Sequence, residues 1–187
     1  MWKRTLKYVA ILAFIGFMLA NGALADDPAP DGWTCEAPRE EIRPYFSCDA
    51  TPGTADSVLS IRADDREGLM GMWASTIPIQ GQEHYRFTVD RQTQGIALPR
   101  RTAIARIIWL NDAHEKVMRA EPSNLSYRPG ERPRAEPEFS KLVSHSDGWD
   151  RLEGIYVAPP HATHARIELH FRWGEPHSTV LWRRSKL

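Results

Sequence analysis

The chain has 187 residues, with 24 basic and 24 acidic side chains and 42% hydrophobic residues. That balance excludes a strongly basic field for capturing nucleic acid or anionic lipid, and the composition is that of a folded domain rather than a disordered one. The length suits one domain with a sizeable core and is small for two.

Residues 1–25 read as a secretory signal peptide. Lys3, Arg4 and Lys7 supply a positive start. Tyr8 to Leu19 is an apolar run short for a membrane span, and Ala23-Leu24-Ala25 gives a small-x-small cleavage signature ahead of Asp26-Asp27. The expectation is an exported protein, periplasmic, cell-surface or extracellular, with no membrane span in the mature chain. No cysteine sits at the cleavage site, so a lipid anchor is not expected. Removing the three leader cations leaves 21 basic against 24 acidic residues. Residues 26–32 are acidic and proline-bearing and read as a flexible arm.

Cys35 and Cys48 are the only two cysteines. In an exported chain a lone pair thirteen positions apart is most simply a disulfide, worth roughly 3 kcal/mol if unstrained. The alternative is two buried thiols. A metal site is the weakest reading, because no histidine lies near.

From Ser57 onward the apolar pattern takes period two. Strands are predicted at Val58–Arg62, His84–Asp90, Ala103–Leu110, Leu152–Val157, Ala165–Trp173 and Thr179–Trp182. In the fifth of these, Ile167, Leu169, Phe171 and Trp173 share one face, and Arg166, Glu168, His170 and Arg172 the other. That parity places Trp173 in the core. No segment after the leader carries a helical stripe over three turns. Many short half-buried strands predict an all-β, two-sheet antiparallel sandwich of jelly-roll type over residues 33–187. Residues 121–148 hold Pro122, Pro129, Pro133 and Pro137 and few large aliphatics, and read as a long loop, either a functional flap or a mobile insertion.

In order along the chain stand Asp31-Gly32-Trp33, Gly68-Leu69-Met70-Gly71-Met72-Trp73, Tyr85-Arg86-Phe87, Ala105-Arg106-Ile107-Ile108-Trp109, Gly154-Ile155-Tyr156-Val157, Ala162-Thr163-His164-Ala165-Arg166-Ile167-Glu168-Leu169 and Val180-Leu181-Trp182. This succession resembles the jelly-roll, galactose-binding-like and carbohydrate-binding modules of secreted bacterial proteins. The resemblance covers most of Trp33 to Leu187. It implies a non-catalytic module whose partner is a carbohydrate or a cell-envelope component. Such modules often hold a structural calcium ion through an acidic residue after the last aromatic. Here Trp182 is followed by Arg183-Arg184, which counts against that ion, and no other cofactor is implied.

Sugars lay their C–H faces on aromatic rings while polar groups read the hydroxyls. Trp73 and Trp149 sit near turn residues and are the candidate platforms. Trp109 and Trp182 lie in apolar strands and belong to the core. Arg86, Arg106, Glu168 and His170 each point away from their strand's apolar set. If those strands pair, a polar sheet face results, suited to sugar hydroxyls or an acidic saccharide. A solvated lattice of ion pairs is the competing explanation. The histidines His161, His164, His170 and His177 do not converge by spacing, and no metal site is assigned. No G-x-S-x-G, H-E-x-x-H or P-loop occurs, and Glu136 with Glu138 does not by itself make a glycosidase pair, so no catalytic residue is assigned. The leading reading is an exported binding module. The second is a structural or protein-interaction sandwich of the cell envelope without a small ligand, and the third is part of a secreted hydrolase.

Overall fold

The computed structural model describes residues 29–49, 57–119 and 135–187. The leader, the first part of the acidic arm and residues 121–134 of the proline-rich segment lie outside them. Among the described residues no helix is long and apolar enough to cross a membrane.

Among the described residues eleven strands run β1 (Thr34–Glu36), β2 (Tyr45–Asp49), β3 (Val58–Arg62), β4 (Leu69–Pro78), β5 (His84–Gln94), β6 (Ala105–Leu110), β7 (Glu138–Phe139), β8 (Lys141–Ser146), β9 (Trp149–Val157), β10 (His164–Gly174) and β11 (Thr179–Lys186). One helical turn, α1 (Pro99–Thr102), separates β5 from β6. All pairings are antiparallel. A five-stranded sheet has the order β1-β4-β10-β6-β7 and a six-stranded sheet the order β2-β3-β11-β5-β9-β8. This is the expected two-sheet sandwich. The expected strands at Val58–Arg62 and Thr179 onward start where predicted, and the others agree within a few residues.

The core follows from the alternation. β10 sends Ala165, Ile167, Leu169 and Phe171 inward, β6 sends Ala105, Ile107 and Trp109, and β5 sends Phe87 and Val89 from the opposite sheet. Trp73, Trp109 and Trp182 are fully buried. Trp73 crosses the sandwich: its Nε1–H donates to the Ser60 carbonyl at 3.1 Å, and its ring meets Phe46 edge-on at 5.5 Å. At the end of the core Arg91 is buried, donating to the carbonyls of Pro99 and Ala103 and to Asp150 Oδ2 at 2.6 Å. That one guanidinium ties α1 to β5 and β9.

Two expectations are corrected. Trp173 is not core: it is 53% exposed. β10 slips register between Arg172 and Gly174, and Trp173 takes a left-handed φ of 49° at the bulge. An extra residue in a bulge reverses the parity that follows it. Gly174 follows the bulge, where a Cβ would lie 1.8 Å from the Phe171 ring. Second, the segment expected as a loop to residue 148 contains β7 and β8, and β8 forms one edge of the six-stranded sheet. Cys35 and Cys48 are the two residues expected to join. The two residues sit on β1 and β2, strands of different sheets, and both pack against the core.

Candidate functional site

The outer face of the five-stranded sheet is built by register. Residues directly opposite one another in antiparallel strands project to the same side. Thr34 lies opposite Ala74, Ala74 opposite Glu168, Glu168 opposite Arg106, and Arg106 opposite Phe139. One row therefore crosses all five strands, with the Glu168 carboxylate at its centre and the Phe139 ring at its β7 end. The next row carries Glu36, Met72 and His170.

Glu168 points away from the core yet is only 3% exposed. Its Oε1 accepts from Arg166 Nε at 2.8 Å. Its Oε2 accepts from Arg106 Nε at 2.5 Å and pairs with His170 Nε2 at 2.8 Å. Arg166 is held in turn by Glu36 at 2.7 Å. A carboxylate taken from water needs such partners. Burial pushes the Glu168 carboxyl up. Hydrogen bonds from His170 and Arg166, together with the charge and hydrogen bond of Arg106, outweigh it and hold the group well below the usual carboxylate range. Burial is also the largest influence on His170 and lowers its pKa. The nearby Arg106 and Arg172 charges add to that, and the Glu168 hydrogen bond opposes it. The imidazole is thus kept neutral and donates its Nε2–H to Glu168.

Both Glu168 oxygens are hydrogen-bonded and the side chain is almost wholly buried, so Glu168 positions its neighbours. Arg106 spends only its Nε–H on Glu168. Its two terminal amino groups have no protein acceptor among the described residues. A cleft of about 160 Å³ opens beside it, lined by Pro38, Met70, Met72, Arg106, His170 and Arg172, with Gly71 at its floor. A cleft with a few convergent polar groups among apolar walls is the usual form of a small-ligand site.

The predicted site residues divide. Arg106, Glu168 and His170 come together as expected. Arg86 does not join them: it lies on β5 of the other sheet and pairs with Glu153 at 2.7 Å. Trp149 is also on that sheet, half-buried with the Arg183 guanidinium 3.9 Å over its ring. Trp73 is in the core and presents no platform. Glu136 and Glu138 are both ion-paired with Arg119, at 3.3 and 3.1 Å. The aromatic that does stand on the polar face is Phe139, 50% exposed. Its only sequence signal was a phenylalanine in a segment otherwise poor in large apolar residues.

No protein-family model matches the chain, and no curated protein sequence is similar to it. Solved structures do resemble it. The enzymatically active domain of tailspike protein 4 from bacteriophage CBA120 aligns with a TM-score of 0.51 and 11% identity over 83% of this chain. This chain spans 19% of that protein's length. A carbohydrate-binding module of the β-sandwich superfamily aligns at 0.49 with 9% identity, over 88% of this chain and 62% of that one. The C-terminal family 22 module of Clostridium thermocellum Xyn10B aligns at 0.43 with 12% identity, over 89% and 94%. The solved structures that resemble the chain are mostly carbohydrate-binding modules. At these identities the likeness is one of fold.

Proposed function

We propose that the chain is an exported, non-catalytic binding module and that the outer face of the five-stranded sheet binds a carbohydrate. The observation that carries the reading is Arg106. It is pinned at Nε by a buried carboxylate and offers its terminal donors to a cleft, with Phe139 opposite it on the neighbouring strand. A fixed fork of N–H donors beside an aromatic ring matches a saccharide, whose hydroxyls need donors and whose C–H face needs an apolar surface. Preorganisation by Glu168 lowers the ordering cost of binding. Export is supported by the leader pattern in residues 1–25. In an oxidising compartment the two core-packed cysteines, Cys35 and Cys48, are taken to join.

The test is a glycan array with the purified exported protein, followed by titration calorimetry on the best saccharide. Phe139→Ala and Arg106→Ala should each weaken binding at least tenfold, with unchanged far-UV circular dichroism. Glu168→Ala is not a clean probe, because it leaves Arg106, Arg166 and His170 without their shared partner. If a saccharide binds and neither Phe139 nor Arg106 matters, the sheet face is not the site.

A further inference from the structure

Arg172 lines the cleft on the sheet face and also a second, larger groove at the end of the sandwich. This groove has a volume of about 390 Å³. Its walls include Arg100 and Arg101 of α1, Phe139, Leu142, Arg172 and Trp173. Three observations set it apart. First, its apolar rim is exposed: Trp173 is 53%, Phe139 50% and Leu142 57% accessible. Second, Trp173 reaches the rim through a bulge and a left-handed backbone, a conformation that costs a tryptophan energy and re-aims its side chain. The Arg172 guanidinium stacks over that ring at 4.5 Å. Third, the groove holds three guanidinium groups and no carboxylate. Arg91, Arg106, Arg119 and Arg166 are each ion-paired. By contrast, none of Arg100, Arg101 and Arg172 is ion-paired among the described residues.

Three unpaired cations around one groove repel one another and attract an anion. Guanidinium groups match a carboxylate through two parallel N–H donors, and the exposed rings match the apolar face of a pyranose. We propose that this groove is an acidic-sugar subsite. In it Arg100, Arg101 and Arg172 take the carboxylate of a uronic acid residue, and Trp173 and Phe139 carry the sugar rings. The inference rests on the carbohydrate reading of the sheet face, since Arg172 borders both hollows and Phe139 lies between Arg106 and the groove. The ligand would then be an acidic polysaccharide running from one to the other.

The probes are polygalacturonate, alginate and glucuronoxylan, each compared with its own carboxyl-reduced form, using the exported protein. At least one polyuronate should bind ten-fold or more tighter than its reduced form. Arg100 and Arg101 are exposed, so R100A/R101A should fold normally and lose that preference. The polyuronate should also shield a tryptophan from acrylamide quenching in the wild type and not in Trp173→Phe. Equal binding of acidic and reduced polymers overturns the acidic subsite and leaves the carbohydrate reading standing. An acidic preference unchanged in R100A/R101A overturns the placement. Binding to no saccharide overturns both readings, and capture of oligothymidylate instead would make the groove a nucleic-acid track and overturn the proposal.

Discussion

Trp173 shows how much one residue's backbone can decide. Strict alternation along Ile167, Leu169 and Phe171 predicts a core tryptophan, whose loss would cost about 3–5 kcal/mol. The bulge after Arg172 turns it outward instead. Its burial contributes little, and its left-handed φ costs roughly 1 kcal/mol. Trp173→Ala is therefore expected to lower stability by less than about 1 kcal/mol, and Trp173→Gly to melt at or above the wild-type temperature. Trp182→Ala, removing a fully buried ring, should lose about 3–5 kcal/mol in the same denaturation experiment. Comparable losses at the two positions would mean that the bulge is not present in solution.

At the scale of elements, β10 carries two buried titratable groups on its outer face, and both lose proton affinity on folding. Glu168 is held well below the ordinary 4.5 despite the opposing effect of burial, and His170 is lowered from 6.5, chiefly by burial. The unfolded chain therefore binds more protons than the folded one as pH falls through each range, and acid destabilises the fold. Thermal melts should be level from pH 8 to 7. They should fall as pH drops below 6.5 through His170, and fall further below 4.5 through Glu168. His170→Gln keeps a donor toward Glu168 and should remove the upper part of the decline. A melting temperature that rose between pH 7 and 5.5 would show that His170 is not buried neutral. The same strand explains what the sequence made legible. β10, β5 and β6 bury one face deeply, so their period-two pattern is strong, and the grouping of Arg106, Glu168 and His170 follows from it. β4 was hidden because Met70 and Met72 face outward and are apolar. With Leu69, Trp73 and Ala74 they blur the alternation into a continuous run. β8 was hidden for the opposite reason: all six of its residues are exposed, so no buried stripe marks it. Phe139 went unrecognised because a two-residue strand has no period to read. Arg86 was misplaced because parity gives a residue's face and not its sheet.

At the scale of the whole molecule, the two sheets are joined by packing, and the cysteines bear on how firmly. β1 and β2 lie at corresponding ends of the two strand orders. Cys35 is opposite Trp73 in one sheet, and Cys48 is opposite Leu59 in the other. Both side chains pack against the same core. A bond between them formed on export would add a covalent cross-link between the two sheets. Closing that loop restricts the unfolded chain and stabilises the fold by roughly 3 kcal/mol, with the sheet register left as it is. The protein recovered from an oxidising compartment should begin near Asp26, weigh two hydrogens less than the reduced mature chain, and resist alkylation at both positions. Added reductant should lower its melting temperature without changing its far-UV spectrum. Cys35→Ala/Cys48→Ala should melt like the reduced wild type and be insensitive to reductant. Two freely alkylated thiols in the exported protein, or a reductant effect that persists in the double variant, would show that the sandwich is held by its core alone.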